Sequence, residues 1–344
     1  MNSNERISTV MKKGTPDRVP FWCLLSLEHI INHGMKNSKT PSQIEELVEA
    51  ECKLAKKYNF DGSLIYLPGS KKAANIDQFI NRSIKEVPVG AETNIFEEAD
   101  PDSWAIEISE YTNEDFYSSH LSREILGDEV HLGGWTGCGF SKAVQWFPSL
   151  EDAMMATILD PVKFSSLVNY MDELSIAWSV AQIKIGKLES IQISSPYAGS
   201  GFISLDAYKS FVLPSVTKIS KAITKAGGFS YIHTCGSIND RLELLAQSET
   251  DGIECLDPPP LGNVSLSDAK KRVGDKIFLK GNLDSVNLLL QGSDDEVKKV
   301  VTETIEIGKT SGGFILSSAC SVSANVSPDR IKQVAEINEV NGVS

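Results

Sequence analysis

The chain has 344 residues, 41% hydrophobic and 23% charged, which suits one large globular domain or two ordinary ones. A formal net charge of −13 makes phosphate backbones and anionic membranes poor partners, so neither nucleic acid nor a membrane is expected. No apolar run reaches spanning length, the N-terminus has no apolar signal core, and the six cysteines are too scattered for a secreted disulfide scaffold; the expected location is cytoplasmic.

Apolar runs suited to buried strands fall at 19–26, 62–67, 130–135, 190–195, 229–235, 252–256, 276–281 and 313–318. Most are followed by helical spacing of apolar residues. At 42–58 the face is Ile44, Leu47, Val48, Glu51, Leu54 and Ala55; the other helices are expected at 161–184, 206–226, 237–247, 267–273, 294–309 and 328–340. Ser42, Asp160, Asp206, Ser267 and Ser327 are candidate N-caps.

Eight strands alternating with helices predict an α/β fold, a (β/α)₈ TIM barrel, as a single domain over 1–344. An open doubly wound sheet is the alternative. No G-x-G-x-x-G follows the first strand and no Walker A motif occurs, so nucleotide binding has no support. The polar, broken region near 73–120 reads as an insertion between the second and third strands, with 94–100 and 104–111 as extra strands and a role as lid or cleft wall.

Barrel enzymes place their chemistry at the C-terminal ends of the strands. His233 and Cys235 end the fifth expected strand in Phe-Ser-Tyr-Ile-His-Thr-Cys-Gly, and residues two apart share one face. Glu254, Cys255 and Asp257 end the sixth, Asn282 and Asp284 follow the seventh, and Cys320 closes the eighth. Imidazole and thiolate suit Zn2+, so His233, Cys235 and Cys320 are the expected ligands, with Glu254 as a fourth oxygen ligand or the fourth position open. Glu254 has a second reading, a carboxylate bonded to nearby backbone or to Lys280. Cys255 is expected to point into the helical layer as a core residue. Cys23 and Cys52 are expected in packing, and Cys138 in a passive loop position.

The barrel pattern, His-x-Cys-Gly from His233, Gly281-Asn282-Leu283-Asp284 and the distal Cys320 resemble the uroporphyrinogen decarboxylase superfamily, and within it the zinc-dependent methyltransferase branch. Ser195–Ser204 with 211–214, and Thr15-Pro-Asp-Arg-Val-Pro20, are similar to segments of those enzymes. The decarboxylases hold their many-carboxylate substrate with an Arg-rich N-terminal segment, whereas 21–29 of this chain contains no Arg.

The resemblance implies a zinc methyltransferase that works with a corrinoid (cobalamin) on a separate carrier protein. No Asp-x-His-x-x-Gly cobalt-ligand motif occurs in the chain. Two directions are open. In one, a small methylated substrate, favoured as an aryl methyl ether in O-demethylation, gives its methyl to the corrinoid; in the other, a methylcorrinoid gives its methyl to a thiol, as in coenzyme M-type enzymes. A decarboxylase-like enzyme and a non-catalytic zinc-stabilised binding protein are the remaining alternatives, and a homodimer is compatible with the chain. Glu254, Asn282 and Asp284 are the expected catalytic residues. Gln192, Ser195, Tyr197 and Trp135 are expected to bind substrate, with Phe140 and Trp146 adding apolar wall. Lys142 or Arg123 is the candidate cation for an anionic substrate.

Overall fold

The computed structural model describes residues 1–36, 43–66, 96–97, 100–104, 106 and 110–343. Seven parallel strands run in chain order: β1 (Gly62–Leu64), β2 (His131–Gly137), β3 (Ser190–Ser194), β4 (Phe229–Thr234), β5 (Gly252–Cys255), β6 (Phe278–Leu283) and β7 (Phe314–Ser318). Helices lie between most of them, so the sheet curls into a TIM-type α/β barrel as expected.

The place of the first expected strand, 19–26, is taken by an irregular segment between β7 and β1. Trp22 N–H donates to Leu316 O (3.0 Å), Leu316 N–H to Pro20 O (2.9 Å), and Asp61 N–H to Phe21 O (2.8 Å). It forms single bridges rather than a ladder for a local reason. Pro20 has no N–H to give, and Phe21 N–H is taken by the Asp61 carboxylate (2.8 Å), which Arg6 and Arg18 also hold.

Alternation along the strands separates two environments. Ile191, Ile193, Ile232 and Ile253 face the helices and are fully buried. The long helix Pro161–Lys184 starts at Pro161 behind Asp160, whose carboxylate caps Lys163 N–H, and it packs on helix Leu213–Ala226. Ser327 caps its helix as expected, whereas Ser204 and Ser265 take the roles expected of Asp206 and Ser267. Ser42 and most of the expected insertion lie outside the described residues, and the described positions of its expected strands at 94–100 and 104–111 (96–97, 100, 104, 106 and 110–111) form no strand.

The barrel interior is layered. At the bottom Trp22, Leu64, Tyr231, Phe278 and Ile315 form an apolar plug, which Ile7, Val10 and Met11 of the helix Ser3–Met11 complete from below. Above that plug the inward positions turn polar: Gln192, His233, Glu254, Lys280 and Asn282, all buried. The chemistry is therefore lifted toward the C-terminal mouth by a dry floor.

Candidate metal centre

Strand register brings the polar layer together. His233 pairs with Glu254 across β4–β5, and Glu254 with Lys280 across β5–β6, so the three side chains leave the sheet on the same face. Lys280 donates to Glu254 Oε1, while Gln192 Nε2 and His233 Nδ1 (2.9 Å) both meet Oε2. With Nδ1 held by the carboxylate, Nε2 is left facing the mouth.

Three sulfurs surround that nitrogen. Cys235 Sγ is 3.3 Å from Nε2, Cys255 Sγ is 3.9 Å from it, and Cys235 and Cys320 Sγ are 3.8 Å apart. All four ligand atoms lie within 4.8 Å of one another. A tetrahedral ion with bonds of about 2.0–2.3 Å has edges of roughly 3.3–3.8 Å between its donors, so the spacing and the donor types fit zinc.

The charges of this layer are set by one another. Burial acts to raise the Glu254 carboxyl, but the Lys280 ammonium and the His233 imidazole outweigh it and hold the group at about 2. Burial would lower His233, yet Cys235, Cys320 and Glu254 lift its pKa well above the ordinary value. Hydrogen bonds from Cys235 and Cys255 bring the Cys320 thiol down against the cost of burial. Burial pushes Cys255 up, and the neighbouring Cys235 and Cys320 add to the shift. The His233 imidazole and the Lys280 ammonium thus stand against the Glu254 carboxylate and the Cys320 sulfur in one buried group, the imidazole holding the proton that a metal ion would replace.

The sequence profile of the uroporphyrinogen decarboxylase (URO-D) family matches residues 2–339. The chain belongs to the URO-D family. It is 26% identical to the uroporphyrinogen decarboxylase of Ruthia magnifica, over 62% of this chain and 61% of that protein. To a methylated-thiol–coenzyme M methyltransferase of Methanosarcina mazei it is 26% identical, over 51% of this chain and 44% of the relative. A methylcobamide:CoM methyltransferase of Methanosarcina barkeri is 25% identical, over 62% of this chain and 59% of the relative. The matched stretch thus spans between 44% and 61% of these relatives' lengths. A solved methyltransferase from Methanosarcina mazei covers 99% of both chains with a TM-score of 0.78 at 16% identity, and shares the fold. Among the described residues no helix is long and apolar enough to cross a membrane.

In this URO-D chain His233, Cys235 and Cys320 meet at one point, and Cys255 joins them. Simple alternation would have turned Cys255 into the helical layer. Positive φ at Cys255 (86°) and Leu256 (55°) breaks the alternation at the end of β5 and swings the thiol to the cluster. Nothing in the sequence marks that turn, since neither residue is Gly or Asn. Asp257 sits behind it, accepting from Gly236 N–H (2.6 Å) with Cys255 Sγ 3.6 Å away.

The remaining candidates separate by position. Glu254 lies on the far side of the imidazole from the sulfurs, bonded to Nδ1. Gln192 is buried against Glu254, and Asn282 ties β6 to β5 through Leu256 O (3.1 Å). Asp284 accepts from the N–H groups of Val286 (2.8 Å) and Asn287 (2.7 Å), shaping its own loop. Ser195 is fully buried, its N–H donating to His233 O (2.8 Å). Tyr197 packs edge-on against Phe202 (6.1 Å) in the loop after β3. Trp135 pairs in register with Gln192, faces the barrel interior and is 41% exposed, which places an aromatic face at the mouth. Phe140 is instead buried against Phe164, and Trp146 packs on Trp104. Arg123 is engaged by Glu189 and by Val130 O.

Proposed function

We propose that this URO-D family protein is a zinc-containing methyltransferase that moves a methyl group between a corrinoid on a partner protein and a small substrate. The observation that carries the reading is the His233/Cys235/Cys255/Cys320 cluster at the barrel mouth, backed by the buried Glu254–Lys280 pair. Decarboxylation has no use for a cage of soft donors, whereas sulfur-directed methyl transfer does.

His233, Cys235 and Cys320 would hold the metal, with Cys255 in reach of the fourth position that a substrate atom would take in its place; when bound, the ion would supply Lewis acidity toward a thiol sulfur or the leaving atom of a methyl donor. The chain's own residues do the rest. Glu254 holds Nδ1 and so keeps Nε2 directed at the ion, and Lys280 and Gln192 keep Glu254 in place. The apolar floor keeps water out from below, and the open mouth is left for substrate and for the corrinoid face of the carrier.

Thiol methylation is the favoured direction, because relatives whose names specify coenzyme M stand among the matches and the cluster is rich in sulfur. The aryl methyl ether direction keeps one observation in its favour, the half-exposed Trp135 inside the mouth. A spectroscopic screen decides. Methylcobalamin is mixed with protein and thiols, and separately cob(I)alamin with protein and methoxylated aromatics, methylamines or thioethers. Loss of the methylcobalamin band with thiols is expected. Methylcob(III)alamin forming only from the ethers would select the other direction, and turnover of a porphyrinogen with no corrinoid present would overturn both.

A further inference from the structure

A cation that forms no ion pair among the described residues lies on the same inner layer as the sulfur cluster. Gly137, the last residue of β2, pairs in register with Ser194, and Ser194 with His233. Partners in register across parallel strands point to the same face, so the missing side chain of Gly137 would have pointed where His233 points. That space is filled by Lys142. A Cβ on Gly137 would stand 3.2 Å from Lys142 Cγ, 3.4 Å from Cε and 3.8 Å from Cδ. The lysine stem thus crosses the inner face at the mouth, two strands from His233, which is about 10 Å at ordinary strand spacing.

The ammonium is also unspent. The described segments that follow β2 to β7, at 138–149, 195–207, 235–241, 256–265, 284–293 and 319–327, contain two cations, Lys142 and Arg241. Arg241 is buried and bonded to Ala198 O (2.6 Å) and to Asp240. The Lys142 ammonium makes no hydrogen bond or ion pair among the described residues, although the residue is half-buried and burial lowers its pKa against the pull of Cys138 and Asp172. A partly desolvated ammonium with no partner costs stability, and an anion brought by a ligand removes that cost. Trp135, two residues before Gly137 on the same face, offers apolar surface beside it.

We propose that Lys142 is the specificity residue of the site, holding an anionic group, sulfonate or carboxylate, at the end of a small substrate whose reacting atom lies at the sulfur cluster. This rests on the methyltransferase reading for the reaction, but not for the binding. The two are separated by measuring affinity alone, by calorimetry, on the protein as purified and on a Cys235→Ser/Cys320→Ser variant.

Coenzyme M (2-mercaptoethanesulfonate) is compared with 2-mercaptoethanol, and 3-methoxybenzoate with anisole, the two pairs separating a thiol from an aryl ether carrying the anion. Ethanesulfonate, which has no thiol, probes the anion subsite by itself. Wild type should bind the anionic member of at least one pair at least tenfold tighter than its neutral partner. Lys142→Met should abolish that preference while leaving the neutral ligand unchanged, and Lys142→Arg should keep most of it. Ethanesulfonate should bind the cluster variant as it binds wild type, so a failed methyl-transfer assay leaves this result standing. The melting temperature of Lys142→Met should equal or exceed that of wild type, which separates lost recognition from lost folding. Equal affinity of wild type and Lys142→Met for every anion, or no preference for anions in wild type, overturns the proposal.

Discussion

Replacing Lys280 by Met tests the polar layer most directly. The Lys280 side chain is fully buried, its ammonium bonded to Glu254 and 4.2 Å from the centre of the Trp22 ring. Met keeps the length and the apolar stem but leaves the Glu254 carboxylate buried with only Gln192 and His233. Removing one partner of a buried ion pair costs about 3–5 kcal/mol. The lost cation–π contact, up to about 2 kcal/mol, is offset in large part by the thioether against the same rings, about 0.3–1.5 kcal/mol. At roughly 2.1 cal/mol/K per residue, unfolding all 344 residues releases about 0.7 kcal/mol/K. The melting temperature should therefore fall by about 4–7 °C. Urea and thermal unfolding of the chelator-treated protein measure this without the metal's contribution. Glu254→Gln alone, which strands the lysine, should cost a similar amount. Lys280→Met combined with Glu254→Gln removes both charges and should recover at least half of the single-variant loss. A loss below about 1 kcal/mol for Lys280→Met, against the roughly 3–5 kcal/mol expected, would refute the reasoning. So would a combined variant no more stable than the weaker single one.

Elemental analysis should find roughly one zinc per chain, falling to near zero in His233→Ala and in Cys320→Ser; unchanged zinc in both would discard the ligand set. Cys255 at 3.9 Å from Nε2 should add a third thiolate, so cobalt(II)-substituted protein should lose part of its sulfur-to-metal absorption in Cys255→Ala, and an identical spectrum would return Cys255 to a packing role. Glu254→Gln should weaken zinc affinity by about 10- to 100-fold through the loss of the charged bond to Nδ1, read by chelator competition. Away from the cluster, burial lifts Glu51 from 4.5 to about 8, and one of its oxygens has no partner among the described residues. A carboxyl raised on folding binds its proton more tightly in the folded state. Its stabilising contribution is complete below about pH 4.5 and is lost as pH rises through about 8. Urea midpoints of wild type should fall across that window and those of Glu51→Gln should fall less; parallel curves would show that Glu51 ionises freely.

Much of the centre could be read from local pattern. The period of two along 229–235 puts His233 and Cys235 on one face, and Cys320 at the end of an apolar run puts a third soft ligand on the same rim. The barrel followed from alternation of the same kind, because burial on one side of a strand or helix leaves its mark every second or every third to fourth residue. What depends on register between distant strands had no such mark. Glu254 is bound to Lys280, 26 residues on, and to Gln192, 62 residues back, and only the pairing of β3 to β6 makes them neighbours. Cys255 reaches the cluster through a left-handed backbone turn that its own identity disfavours, held by the surrounding fold. The first expected strand gave way to bridges because a carboxylate from 61 claimed the N–H of Phe21. Lys142 gained its place on the inner face from a missing side chain at Gly137. Periodicity reports which face a residue takes along its own element; who meets it across the barrel is decided by long-range pairing and by the space neighbours leave empty.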